Sequence, residues 1–236
     1  FSSVFVALGA DLFAGACIGL INGLLITRAH INSLIATLGM MAILRGGAMV
    51  STQAVLIQGS VDSFIEIGTG HWGPIPIPVL IAFLLLALFF YVLHYTTFGR
   101  YVYAVGGNPQ AARLSGLPVD RIRIAVFVIA GILAALSAFI LASRLNSGQP
   151  NAGLGFELQV IAAVILGGIS LTGGVGTLAG AFIGILILTV LSNGLVLLNV
   201  SSFYHDIARG IVIILAVYLD TRRKQSLVRR MLSGIK

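Results

Sequence analysis

Apolar residues run along this chain in long blocks, and polar residues collect between them. No Asp, Glu, Lys or Arg occurs from Ile67 to Gly99, from Ile124 to Ser143, or from Leu158 to His205. Crossing a bilayer takes about 20 apolar residues in a helix. The strict in-and-out alternation of a lipid-facing β-barrel is absent. The spans are therefore helices, because hydrocarbon cannot satisfy open backbone groups. The pattern predicts spans over roughly 4–26, 34–55, 78–95, 124–143, 178–198 and 205–219, with a short apolar element at 158–166. The expected fold class is all-α, a polytopic transmembrane helical bundle forming one domain over 1–236.

The block Leu158–Tyr204 is too long for one helix. It divides at GGISLTGGVG, where Gly167, Gly168, Gly173, Gly174 and Gly176 mark a helix break. Nine helical residues at 158–166 reach only about 14 Å, around half the hydrocarbon thickness. That piece is predicted to be a broken or re-entrant helix, which is tolerated where it is buried in protein or lines a cavity. The first span is rich in small residues, with Gly15 and Gly19 in a GxxxG pair that lets backbones approach closely. Gly15-Ala16-x-Ile18-Gly19 reappears as Gly180-Ala181-x-Ile183-Gly184. An internal repeat, as in many transporters, and a chance recurrence both account for it.

The long polar interruption is 96–123, TTFGRYVYAVGGNPQAARLSGLPVDRIR, predicted as a cytoplasmic loop. It contains a short helix with both ends marked. Asn108 can N-cap, Pro109 suits the first helical position, and Gln110, Ala111, Ala112, Arg113 and Leu114 favour helix. After Ser115, Gly116 can take the left-handed C-terminal conformation, and Pro118 blocks continuation. A loop that merely had to be wet would not need a capped helix, so this one reads as a docking element for a soluble partner. Basic loops on the cytoplasmic side are also common without such a role.

Composition and charge sharpen this picture. The chain is 58% hydrophobic and 9% charged, against about 25% charged in a typical soluble domain. The net charge of +7 sits beside the spans rather than along one soluble face, which argues against a nucleic-acid partner. Placing the turn at 27–33, the loop 96–123 and the tail 220–236 in the cytoplasm puts eleven of the fourteen basic residues there. Arg144 is the one basic residue of the opposite loops, and Arg45 and Arg209 lie in or near spans. This asymmetry fits the positive-inside rule, and it requires 158–176 to bring the chain back toward the cytoplasm. Phe1 opens the chain inside hydrophobic sequence, so the domain is expected to be N-terminally incomplete.

The first span carries Asp11, read either as a functional intramembrane carboxylate or as a residue near the span's end. Arg45, in ILRGG, needs a carbonyl, a partner or a wet cavity, and is expected to brace a bend at Gly46-Gly47. The loop 56–77 is polar, with Asp62, Glu66, His71 and Trp72. The run PIPIP at 74–78 is expected to stop regular structure. Trp72 suits an interfacial anchor, and His71 has no partner at metal-ligand spacing. Lone Cys17 excludes a disulfide framework. GGVGTLAG lacks the lysine of a phosphate loop, and neither HExxH nor CxxC occurs. No constellation supports an enzyme, and neither a metal nor a cofactor is expected in this chain.

The residues LIATLGMMAILRGG (34–47), TTFGRYVYAVGGNPQAARLSGLPVDRIRI (96–124), FELQVIAAVILGGISLTGGVGTLAGAFIGILILTVLSNGLVLL (156–198) and SSFYHDIARGIVIILAVYLD (201–220) closely resemble the membrane permease subunits of bacterial ATP-binding-cassette (ABC) monosaccharide importers, of the ribose, xylose, arabinose and galactoside type. The resemblance implies an inner-membrane, multi-pass subunit. Two such subunits, in a homodimer or heterodimer, form the path for a sugar such as ribose. A periplasmic sugar-binding protein delivers the sugar, and cytoplasmic ATPase subunits bind ATP. The helix at 108–116 matches the family's coupling position, with Leu114 in an ATPase groove and Arg113 setting charge complementarity. Candidates for the translocation path are Arg144, Asn146, Gln149, Asn151, Glu157, Gln159 and Asn193, against a reading of each as a loop or cap residue. Alternatives are an ABC permease for a hexose, a furanose signal or a branched-chain amino acid, an ion-coupled transporter, and a membrane scaffold.

Overall fold

The computed structural model describes residues 2–59 and 62–201, with residues 204, 207, 210 and 211. Most of the predicted span at 205–219 and the tail 220–236 lie outside the described residues. Five described helices are long and apolar enough to cross a membrane. The chain divides into two compact units, Phe1–Val105 with Pro109–Ala152, and Gly106–Asn108 with Gly153–Lys236.

The first unit is built on α1 (Ser2–Thr27) and α7 (Val119–Leu145). Gly15, Gly19 and Gly23 recur every four residues and so share one helix face. A Cβ on Gly15 would sit 2.7 Å from Ala135 Cβ, on Gly19 2.8 Å from Val128 Cα, and on Gly23 3.0 Å from Ile124 Cα. The contacts descend α7 as they ascend α1, so the helices are antiparallel. Backbone meets backbone along the seam, as membrane helices do where small residues replace bulk.

At 27 residues, α7 is about 40 Å long, against a hydrocarbon core of about 30 Å. Its span was expected over 124–143, where charge is absent. The helix starts earlier because nothing after Pro118 interrupts it, and its first turns carry Asp120, Arg121 and Arg123 beyond the apolar core. Asn146, in the left-handed region at φ 48°, ends it.

Helix α2 (Ser33–Thr52) is capped by Asn32, whose side chain accepts the Leu34 N–H at 2.9 Å. It runs continuously through Gly46 and Gly47 and ends where Gln53 and Ala54 take positive φ. Helix α4 (Ile77–Tyr95) buries no residue and α2 buries Ala36 alone. Their exposed Leu, Ile and Phe side chains suit lipid as solvent.

The described residues of the region 56–77, read as a polar loop, form short regular elements. Strand β1 (Ile57–Gln58) pairs with β4 (Ser147–Gly148). Helix α3 (Asp62–Thr69) packs on α7. There Gly68 lies against the backbone of Ser143 and Arg144, the Ser143 hydroxyl donates to the Phe64 carbonyl, and Phe64 meets the Phe139 ring edge-on at 5.1 Å. Strands β2 (His71–Trp72) and β3 (Ile75–Pro76) form a hairpin across Gly73, whose φ of 64° suits a tight turn. PIPIP is therefore a junction: Pro76 closes the hairpin arm, and Pro78 falls in the first turn of α4, where no N–H is needed.

Within 96–123 the chain is largely helical. Helix α5 (Thr97–Gly107) and helix α6 (Pro109–Leu114) precede α7. Polarity had suggested a loop, but Phe98, Val102 and Val105 recur at helical spacing and give α5 an inward face.

The second unit holds α8 (Phe156–Leu166) and α9 (Leu178–Leu197). The repeated GAxIG motif now has a structural meaning. Gly180 lies against Gly167, and Gly184 against Ala163 and Gly167, just as Gly15 and Gly19 lie against α7. Each copy supplies a glycine face for one close antiparallel crossing.

Candidate functional site

The short helix α6 is built to hold one face in and one face out. Ala112 is buried with Val105, Val119 and Ile122, and Val102 and Leu117 pack against that cluster. Its C-terminus closes as a Schellman motif. Gly116, at φ 80°, donates to Arg113 O at 3.0 Å, and Leu117 donates to Ala112 O at 3.1 Å. Asn108 directly precedes the helix. Ser115 returns its hydroxyl to Ala111 O at 3.0 Å. Leu114 is 91% exposed, on a helix whose end is fixed and whose other face is anchored. Arg113 pairs with Asp120 at 2.7 Å in an exposed bridge, worth about 0–1 kcal/mol. That pairing holds α6 against the start of α7.

Immediately before α6, Gly106 and Gly107 belong to the second unit and touch its helix break. A Cβ on Gly106 would lie 2.6 Å from Gly174 N and 3.1 Å from Gly174 Cα. The break spans 167–177. Gly167 caps α8, Gly168 at φ 82° closes a second Schellman motif, and Thr177 caps α9 by accepting the Gly180 N–H at 3.0 Å. The second motif's bonds run from Gly168 N to Ile165 O (2.9 Å) and from Ile169 N to Val164 O (3.0 Å). Between the helices, Ser170 N donates to Val175 O and Gly173 N to Ser170 O. Gly173, Gly174 and Gly176 all have positive φ, so the five glycines make a defined turn.

The candidate path residues separate into two groups. In the first unit, Arg144, Asn146 and Gln149 follow one another at the end of α7. Asn146 donates its N–H to Ala142 O and Ser143 O, accepts the Gly59 N–H at 2.9 Å, and so caps the helix. Its Oδ1 is buried without a hydrogen-bond partner among the described residues. Gln149 Nε2 donates to Ser147 Oγ at 3.1 Å. The Arg144 side chain is exposed. In the second unit, Glu157 and Gln159 lie in the first turn of α8. Asn193 lies on α9 at the same end of the antiparallel pair, and Asn151 sits in the turn before α8, counted with the first unit. Asn146 and Gln149 thus have visible structural work, and the remaining residues are open to solvent or partly so.

Two intramembrane charges stand apart from these groups. Asp11 lies one turn before Gly15, and its Oδ2 is buried with no partner among the described residues. Arg45 is half-buried on α2, with no ion pair among the described residues and no break in its helix to brace. No cluster of three metal-ligating side chains occurs among the described residues. Sequence reading missed α3 and α5. Acidic Asp62 in a first turn and the 98–102–105 stripe were the available signals.

Comparison with known proteins agrees with this architecture. The family model described as "Branched-chain amino acid transport system / permease component" matches residues 1–217. The ribose import permease protein RbsC of Escherichia coli (strain K12) is 44% identical over 226 residues, covering 94% of this chain and 70% of that protein. The L-arabinose ABC transporter permease protein AraH of Azospirillum brasilense is 42% identical over 222 residues, covering 94% and 66%. RbsC of Bacillus subtilis (strain 168) is 46% identical over 204 residues, covering 86% and 63%. No solved structure matches the chain significantly. A multi-pass helical chain, matched along most of its length by these relatives, belongs to the permease-component family of ABC importers and is a transport subunit of the inner membrane.

Proposed function

We propose that this chain, paired with a second permease subunit, forms the path for a pentose, ribose or a close analogue, delivered by a periplasmic binding protein. Cytoplasmic ATPase subunits bind the ATP, and this chain binds none. The observation that carries the coupling role is Leu114, 91% exposed on a helix otherwise anchored and capped. An apolar side chain so displayed on the basic side of the membrane suits a groove on a soluble partner. Burying a leucine contributes about 1.5–3 kcal/mol. The pentose reading is supported by relatives named for ribose and arabinose at 41–46% identity. The family description also names branched-chain amino acids, so leucine belongs in the test.

The glycine break supports a mechanical route. ATP-driven movement of the ATPase pulls α6, and the adjoining Gly106–Asn108 carries that movement to the break between α8 and α9. The test is uptake of radiolabelled ribose by vesicles containing the full-length chain, its ATPase and its binding protein. Uptake that needs ATP and is competed away by unlabelled ribose is expected. Competition by leucine but not pentoses would discard the sugar assignment. Uptake driven by an ion gradient without the ATPase would discard the mechanism.

A further inference from the structure

The C-terminal end of α1, the helix α6 and the first turn of α7 line a half-open pocket of about 180 Å³. Its walls include Ile26, His30, Arg113, Val119, Asp120 and Arg123. It shares Arg113 with the proposed coupling helix, but the coupling role leaves Arg123 unexplained.

Its chemistry is cationic over an apolar base. Ile26 and Val119 are buried. Asp120 is the one acid among the lining residues, and Arg113 already pairs with it at 2.7 Å. Arg123 is half-buried and has no hydrogen bond or ion pair among the described residues. His30 Nδ1 lies 3.1 Å from the Arg28 carbonyl. A carbonyl can only accept, so the Nδ1 proton of His30 is already committed to the Arg28 carbonyl. The pocket therefore offers a free guanidinium and the outer N–H groups of a paired arginine. Planar guanidinium donors match phosphate oxygens. The volume corresponds to about six waters of liquid, which accommodates a tetrahedral phosphate.

Depth identifies the source. Thr27 ends α1, and Arg123 is the last charged residue before the uncharged run Ile124–Ser143. The pocket thus lies where the apolar spans meet the basic side, at the level of lipid phosphates. Basic pockets between membrane helices on the cytoplasmic side hold anionic headgroups. We propose that this pocket is a phosphate-binding site occupied by the headgroup of an anionic phospholipid, which braces α6 against α1 and α7. The proposal does not depend on which solute is carried.

The test is native mass spectrometry of the full-length permease complex released from nanodiscs containing phosphatidylglycerol or phosphatidylcholine. One retained phosphatidylglycerol per permease subunit is expected, with Arg123→Gln weakening retention about fivefold or more. Arg123→Lys should keep most of it, which guards against Arg123→Gln simply misfolding. Arg121→Gln removes the same charge from an exposed position outside the pocket and should leave retention unchanged. Equal loss in Arg121→Gln and Arg123→Gln, or no loss in either, would overturn the site in favour of diffuse surface attraction. A parallel arm measures thermal stabilisation by inorganic phosphate in lipid-free detergent. Arg123-dependent stabilisation there, without lipid retention, would keep the phosphate chemistry and overturn the lipid as its source.

Discussion

Gly106→Ala is a sharp probe of the contact between the end of α5 and the helix break. The new Cβ would sit 2.6 Å from Gly174 N and 3.1 Å from Gly174 Cα, both backbone atoms. No side chain can swing aside, so the turn at 173–174 must move. Overpacking of this kind costs about 1–3 kcal/mol. Alanine recovers about 0.5–1 kcal/mol of helix propensity, leaving a net loss of roughly 0–2.5 kcal/mol, about 1.2 kcal/mol at the midpoint. The neighbouring Gly107→Ala is the matched control, because its Cβ would meet nothing within 4 Å. Amide hydrogen exchange across 167–177 reads the difference directly. In Gly106→Ala the amides of Ser170 and Gly173, which bond to Val175 O and Ser170 O, should exchange roughly eightfold faster at that midpoint, and in Gly107→Ala they should be unchanged. ATP-driven uptake should fall in the first variant and persist in the second. Equal protection in the two variants would refute the close packing, and full uptake by a Gly106→Ala protein with a loosened turn would refute its role in transmission.

Other substitutions test other parts of the structure. Leu114→Asp should leave the permease folded in the membrane but weaken ATPase association by about 1.5–3 kcal/mol, measured by co-purification; normal transport would sink the docking role. Gly19→Val should lower thermal stability in detergent by about 1–3 kcal/mol through overlap with Phe127 and Val128, whereas Gly9→Val, with nothing within 4 Å of its Cβ, should not cause that overlap loss. Gly116→Ala should destabilise the α6 terminus by about 1 kcal/mol, because φ 80° strains any residue with a Cβ, and limited proteolysis after Arg113 should accelerate. Ser143→Ala removes the donor to the Phe64 carbonyl and should loosen α3 by about 1 kcal/mol, seen as faster exchange over 62–69.

What the sequence made legible was what depends on local pattern. Uncharged runs located the long helices because the bilayer imposes their length. The order Asn108-Pro109, then Gly116 and Pro118, located α6 because each residue answers a backbone constraint at a helix end. The break at 167–177 was legible because glycines cluster there. Helix α5 was missed because Arg100 and two tyrosines outweighed its apolar stripe, and a short amphipathic helix resembles a polar loop to a hydropathy average. Helix α3 was missed because its burial rests on Ser143 and Phe139, far along the chain. The cap role of Asn146 was similarly hidden: its bond to Gly59 joins segments almost ninety residues apart. Candidate path residues were chosen by polarity, and polarity does not distinguish a residue that faces a solute from one that ends a helix.

The two glycine seams also differ in when they can form. Gly180 and Gly184 meet Gly167 and Ala163 across a short turn, so α8 and α9 can pair as soon as α9 leaves the ribosome. Gly19 must wait for Phe127 and Val128. With synthesis at about 5–20 residues per second, the intervening chain takes roughly 5–20 s to make. Through that interval α1 sits in the bilayer with its narrow glycine face open. Membrane insertion of this protein therefore has a built-in order, with a late, long-range closure of α1 on α7, and the biogenesis machinery has a definite unpaired helix to hold while it waits.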